Sequence, residues 1–101
     1  MSLEAAPVQP AVLLTIISEA VLRDRIIQLL KTYNVSGYTI NQVQGEGGQG
    51  KRLGDVAGYN TNIEIKTIVS PAVSDDILWA VKKNYADHAL IAFRQNVEAL
   101  Y

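Results

Sequence analysis

The apolar residues of this chain fall into six segments whose periods run strand, helix, strand, strand, helix, strand, and few folds accommodate that order. Val12-Leu13-Leu14-Thr15-Ile16-Ile17 is a short apolar run rich in β-branched residues, which suits a central strand buried on both faces. Ser18 then reads as a helix N-cap, with Glu19 placed against the positive end of the helix dipole. From Glu19 to Tyr33, the residues Val21, Leu22, Ile26, Leu29 and Leu30 fall near helical spacing, and Asn34 and Gly37 bracket the exit. Tyr38 to Gln44 reads as a second strand. Ile63, Ile65, Thr67 and Val69 alternate with Glu64 and Lys66 in a third, which Ser70-Pro71 ends. Ser74, followed by Asp75 and Asp76, is the expected start of the second helix, with Ile77, Leu78, Val81 and Tyr85 on its apolar face. Ala89 to Phe93 is the expected fourth strand, and Val97 to Tyr101 a closing turn or short helix.

The order β-α-β-β-α-β predicts an α+β, ferredoxin-like fold: an antiparallel four-stranded sheet with two helices on one face. Right-handed crossovers make this topology easy to reach. A chain of 101 residues supports one such domain around one core. Residues 1–10 hold two prolines and little pattern, and read as a flexible arm; residues 11–101 form the domain. The connection between the second and third strands is longer than this fold requires. Hairpin loops usually take about 2–5 residues, whereas this one runs from about Gly45 to Thr61.

That connection is also chemically distinctive. Six of the seven glycines lie between Gly45 and Gly58, and Lys51-Arg52 stands among them. Glycines let backbone N–H groups line a concave anion site, and the two cations supply the charge a phosphate needs. Of the pair, arginine grips a phosphate through two donors, so Arg52 is the stronger candidate. The segment is not a Walker loop: Gly45-x-x-x-x-Gly50-Lys51 is followed by Arg52 instead of Ser or Thr. A ligand-free surface loop explains the same glycines, and on sequence alone solvated charge is the preferred account of Lys51 and Arg52, their position just after Gly50 being the one reason to favour a ligand.

Composition removes other classes. Hydrophobic residues at 49% against 19% charged mark a folded chain. A net charge of -1 argues against nucleic-acid binding, which uses a basic face. The chain has no cysteine, and the single His88 cannot build a zinc site alone, so no metal site is expected. No apolar run approaches the roughly 20 residues of a membrane span. Met1 to Pro10 carries no secretory pattern, which leaves a cytoplasmic protein as the expectation. Asp75 and Asp76 read as helix-start charges instead of a catalytic pair. His88 reads as a turn or interface residue, and Trp79 and Tyr85 as core or subunit-contact residues.

Gly37-Tyr38-Thr39-Ile40-x-x-Val43-x-Gly45-x-Gly47 resembles the second-strand segment of PII signalling proteins, which leads into their long T-loop. Ile63-x-Ile65 and Ser74-Asp75-Asp76-Ile77 are similar to that family's third strand and second helix, and Ala89 to Phe93 with Val97 to Leu100 to its last strand. The resemblance covers roughly Ala11 to Tyr101. The loop is shorter than in the nitrogen-regulatory members. Tyr85-Ala86-Asp87-His88-Ala89-Leu90 replaces their basic run before the last strand, Ile91 replaces its opening lysine, and their C-terminal arginine pair has no counterpart. These departures, with Asn84 to Asp87 and Glu98 to Tyr101, are similar to the divergent branch associated with cyanobacterial bicarbonate transporters.

The resemblance implies a homotrimer and not an enzyme, with an adenine nucleotide (ATP, ADP, AMP or cyclic AMP) as effector in the cleft between subunits. It implies that the loop docks on a target protein, a membrane transporter being one candidate. Thr39, Gly45, Gly47 and Gln49 match nucleotide-lining positions of the family, and Ile68 an apolar position lining the adenine. Gly48 stands where the nitrogen-regulatory members have an arginine, so phosphate contact there falls to backbone N–H groups or to Lys51 and Arg52. Asn62 stands in place of their loop-base lysine. Lys51, Arg52, Leu53 and Tyr59 are the expected partner-binding positions of the loop. Two other readings stand beside this one. A weak nucleotide hydrolase would need Glu46 or Asp55 as its base, and a structural or metal-tolerance trimer of CutA-like architecture would share the fold.

Overall fold

The computed structural model describes residues 4–44 and 61–101. Along the chain run β1 (Gln9–Glu19), a 3-10 turn (Ala20–Leu22), α1 (Arg23–Thr32), β2 (Thr39–Val43), β3 (Asn62–Val69), α2 (Pro71–Asn84) and β4 (Ile91–Ala99). The strands form one antiparallel sheet in the order β2-β3-β1-β4. This is the βαββαβ arrangement expected from the periodicities.

β1 is an inner strand because both of its faces are apolar or small. Val12, Leu14 and Ile16 turn to one face, Ala11 and Thr15 to the other, and none is more than 3% exposed. Strand register fixes what those faces meet. Leu14 and Ile16 lie opposite Thr67 and Ile65 of β3. With Ile63 and Val69 they pack against Leu22, Ile26 and Leu30 on one side of the chain's first crossover, and against Ile77, Val81 and Tyr85 on α2. Both helices therefore cover the same face. Each such Leu or Ile contributes about 1.5–3 kcal/mol when fully buried.

The opposite face carries no helix among the described residues. There Ile17 lies across from Ile91, Thr15 from Phe93, and Leu13 from Ile68. Ile68, Ile91 and Phe93 remain 49%, 58% and 42% exposed. An antiparallel sheet that faces water usually alternates to polar residues on that side; β2 and β3 do so with Asn41, Glu64 and Lys66, whereas β1 and β4 keep Leu13, Ile17, Ile91 and Phe93 there. Among the described residues, no helix is long and apolar enough to cross a membrane.

Several boundaries differ from the sequence expectation. Ser18 is not a helix cap. β1 continues through Glu19, which lies buried opposite Asn62, and Ser18 Oγ donates to the Glu19 carbonyl at 3.0 Å. Cross-strand pairing of the β-branched run outweighs local capping, and α1 begins only at Arg23. α2 starts one turn earlier than expected. Ser70 is its N-cap, accepting from the Val73 N–H at 3.2 Å, and Pro71 takes the first position, where its missing N–H costs nothing. Asp75 and Asp76 thus lie beyond the first turn. Asp75 instead pairs with Arg94 of β4, which also donates to Ser74 Oγ at 2.8 Å.

β4 runs on to Ala99, so the turn or helix expected over Val97 to Tyr101 is a strand for its first part. Pairing with β1 from Gln9 to Ile17 holds it extended. Gln9 and Pro10 belong to β1, inside the stretch expected as an arm. β3 pairing begins only at Val12, so Pro10 has a neighbour on one side, where proline is tolerated. Trp79 is 70% exposed and lies outside the core, with Lys82 Nζ 5.5 Å from its ring centre.

Candidate functional site

α1 ends in a way that shapes the neighbouring surface. The Asn34 N–H donates to the Lys31 carbonyl at 3.0 Å and the Val35 N–H to the Leu30 carbonyl at 3.1 Å. Asn34 supplies the left-handed residue this turn needs, with φ of 63°, and Val35 drops into the core beside Leu30. The chain then passes through Ser36 and Gly37 into β2. Thr67 Oγ1 donates to the Gly37 carbonyl at 2.6 Å, fastening this connection to β3.

An open groove of about 870 Å³ lies at this end of the sheet, where β2 starts and β3 finishes. On the helix-free face, Thr39 sits opposite Lys66 and Leu13 opposite Ile68. Those four side chains set a hydroxyl, an ammonium and two branched apolar groups along one wall. Leu100 and Tyr101, just past β4, also line the groove. Among the described residues, Lys66 is the one charged side chain lining it. Its Nζ lies 3.5 Å from Glu64, a half-exposed pair worth only a few tenths of a kcal/mol to about 1 kcal/mol. A Cβ at Gly37 would have no atom within 4 Å, and its φ lies outside the left-handed region. The fold therefore leaves the backbone there open to close approach.

Of the expected site residues, Thr39 and Ile68 come together in this groove. Gly45, Gly47, Gly48, Gln49, Lys51, Arg52, Leu53 and Tyr59 lie outside the described residues. The connection that carries them leaves β2 at Val43 and enters β3 at Asn62, which are register partners. Val43 lies four positions beyond Thr39, about 14 Å of strand. The groove and the root of the loop thus occupy opposite ends of the same two strands.

Lys66, Leu100 and Tyr101 are groove residues that sequence reasoning missed. Lys66 reads as the solvent side of a strand, and the β4–β1 pairing that carries Leu100 and Tyr101 to this end has no local signature. The alternation of Phe93, Val97 and Ala99 was the available signal. At the other end of α2, Tyr85 is buried and His88 packs edge-on against it at 5.9 Å. The His88 N–H donates to the Tyr85 carbonyl at 3.1 Å, which makes His88 a turn residue as expected. Burial pushes the Tyr85 phenol above its ordinary pKa of 10.0, and the positive charge of Arg25 offsets part of that.

Residues 11–100 match the family of the nitrogen regulatory protein P-II, and the chain belongs to that family. A PII-like signalling protein from Thermus thermophilus is 32% identical, with 94% of each chain covered and a TM-score of 0.79. CPII, a nitrogen regulatory PII-like protein from Thiomonas intermedia solved with ADP, AMP and bicarbonate, is 22% identical. It covers 93% of this chain and 97% of its own, with a TM-score of 0.78. The same protein bound to ADP and bicarbonate is 24% identical, covers 94% and 93%, and gives a TM-score of 0.79. At those identities CPII attests the fold. No curated protein matches the chain.

Proposed function

We propose that this protein is a homotrimeric PII-like regulator, not an enzyme. It binds an adenine nucleotide in the cleft between subunits, each subunit contributing the groove at the Thr39–Ile68 end of β2 and β3, and it acts on a separate target protein through the 45–60 connection. The observation that carries this reading is the convergence of Thr39 and Ile68, distant in sequence, on one open groove beside an unobstructed Gly37 backbone. The nucleotides bound by CPII support the ligand class. A base seated at Thr39 and Ile68 directs its phosphates along β2 toward Gly45, Gly47, Gly48, Gln49, Lys51 and Arg52. Backbone N–H groups and the two cations there form charge-assisted hydrogen bonds. Ordering a loop costs roughly 1–2 kcal/mol per residue fixed, and phosphate contacts offset part of it. Nucleotides with different phosphates then favour different loop shapes, and the target reads the shape. A membrane transporter is the candidate class of target, with Lys51, Arg52, Leu53 and Tyr59 as docking residues, and the cytoplasm is the expected compartment.

Exposed apolar residues on the helix-free sheet face support self-association, because Ile68, Ile91 and Phe93 are poorly suited to water. Calorimetric titration with ATP, ADP, AMP and cyclic AMP tests the ligand, and sedimentation tests the assembly. The expected results are saturable binding of at least one nucleotide at about one per subunit, a trimer, and weaker binding when Lys51 and Arg52 are both replaced by alanine. Absence of binding by all four nucleotides refutes the reading; a monomer at micromolar concentration refutes the intersubunit site.

A further inference from the structure

The groove holds an excess of exposed apolar surface that the fold does not explain. Eight large hydrophobic side chains stand exposed among the described residues, and three of them, Ile68, Leu100 and Tyr101, line this groove. Tyr33 and Tyr38 line it as well, so three of the chain's five tyrosines gather here. Leu100 and Tyr101 are 72% and 73% exposed, yet they leave the sheet from a fixed point, because Ala99 is buried and paired with Gln9. Among the described residues, no Asp or Glu side chain lines the groove, and Lys66 is its single charged side chain. An aromatic and aliphatic wall with hydroxyls and one cation suits a flat heteroaromatic ring joined to an anion.

We propose that Tyr101 is a base-stacking residue of the groove: its ring, with Leu100 and Ile68, forms the surface on which the nucleobase rests. This rests on the nucleotide reading above and adds to it a residue that supplies affinity for the base apart from the phosphates. Every base has a π-face, so stacking on Tyr101 gives affinity without choice among bases. Choice falls to the Thr39 hydroxyl and the backbone around Gly37, which offer hydrogen bonds to base edges.

The test compares ADP binding to the unsubstituted chain, to Tyr101→Ala and to Tyr101→Phe, by calorimetry at fixed subunit concentration. It adds the proton NMR shifts of the Tyr101 ring, assigned from Tyr101→Phe, in the unsubstituted protein. Tyr101→Ala is expected to weaken ADP by about 5- to 150-fold, and Tyr101→Phe to stay within about threefold because the π-face is kept. The Tyr101 ring protons are expected to move upfield as ADP saturates, which a purely structural role would not cause. Equal ADP affinity in Tyr101→Ala and the unsubstituted chain, or binding without an upfield shift, overturns the stacking role and leaves the nucleotide reading standing. Absence of ADP binding by the unsubstituted chain overturns both.

Discussion

Replacing Gly37 with alanine separates what the fold needs at that position from what a ligand needs. A methyl group there meets no atom within 4 Å, and the backbone is outside the left-handed region. The folded state therefore accepts alanine without strain, while the unfolded chain loses freedom. Such a substitution stabilises by about 0.4–1 kcal/mol. For a domain of this size each kcal/mol moves Tm by about 4–8 °C, so Tm rises by about 2–8 °C. The Gly37 carbonyl keeps its bond from Thr67 Oγ1, because only Cα chemistry changes. Binding moves the other way. A nucleotide drawn against this backbone meets the new methyl, and overpacking of that kind costs about 1–3 kcal/mol. ADP affinity should fall by about 5- to 150-fold. Thermal melts by circular dichroism and ADP calorimetry, both at one subunit concentration, read the two effects. A lowered Tm refutes the backbone argument; unchanged ADP affinity refutes close approach of the ligand to Gly37.

Ser70→Ala removes the α2 N-cap and should destabilise by about 0.5–2 kcal/mol, with Ser70→Asp restoring most of the loss in the same melts. Ile16→Ala, at a position 1% exposed, should cost about 2–5 kcal/mol in urea unfolding, with the midpoint lowered and the slope unchanged. Val21→Ala, at a position 61% exposed, should stay within about 0.5 kcal/mol. The buried neutral Tyr85 phenol stabilises the fold fully below its unfolded pKa of 10.0, and that contribution is lost as pH rises through its higher folded pKa. Melts from neutral pH upward should therefore show a Tm decline above pH 10 that is smaller in Tyr85→Phe; equal declines would remove Tyr85 from the alkaline transition.

Element types were legible because hydrophobic period is a local property, and β1, β3 and α2 carry it clearly. Ends were less legible because they depend on distant partners. Ser18 has the chemistry of a cap, but pairing with Ile63, and of Glu19 with Asn62, holds it in a strand. Ser70 and Ser74 both suit a helix start, and the proline beside Ser70 decides between them. Thr39 and Ile68 were reached through family resemblance, since a threonine and an isoleucine on strands carry no chemical signal of their own. Lys66, Leu100 and Tyr101 became site residues only through register, which no stretch of sequence states by itself.

The pairing of β1 with β4 also governs how the chain is made. β1, Gln9–Glu19, is synthesised well before residues 91–99 and must wait for them before its second edge is filled. Until then a strand dense in isoleucine, leucine and valine presents an unpaired edge, the kind of template that invites pairing with other chains. Nascent copies on one messenger therefore run a hazard that the finished sheet does not, and slow translation between α2 and β4 would lengthen it.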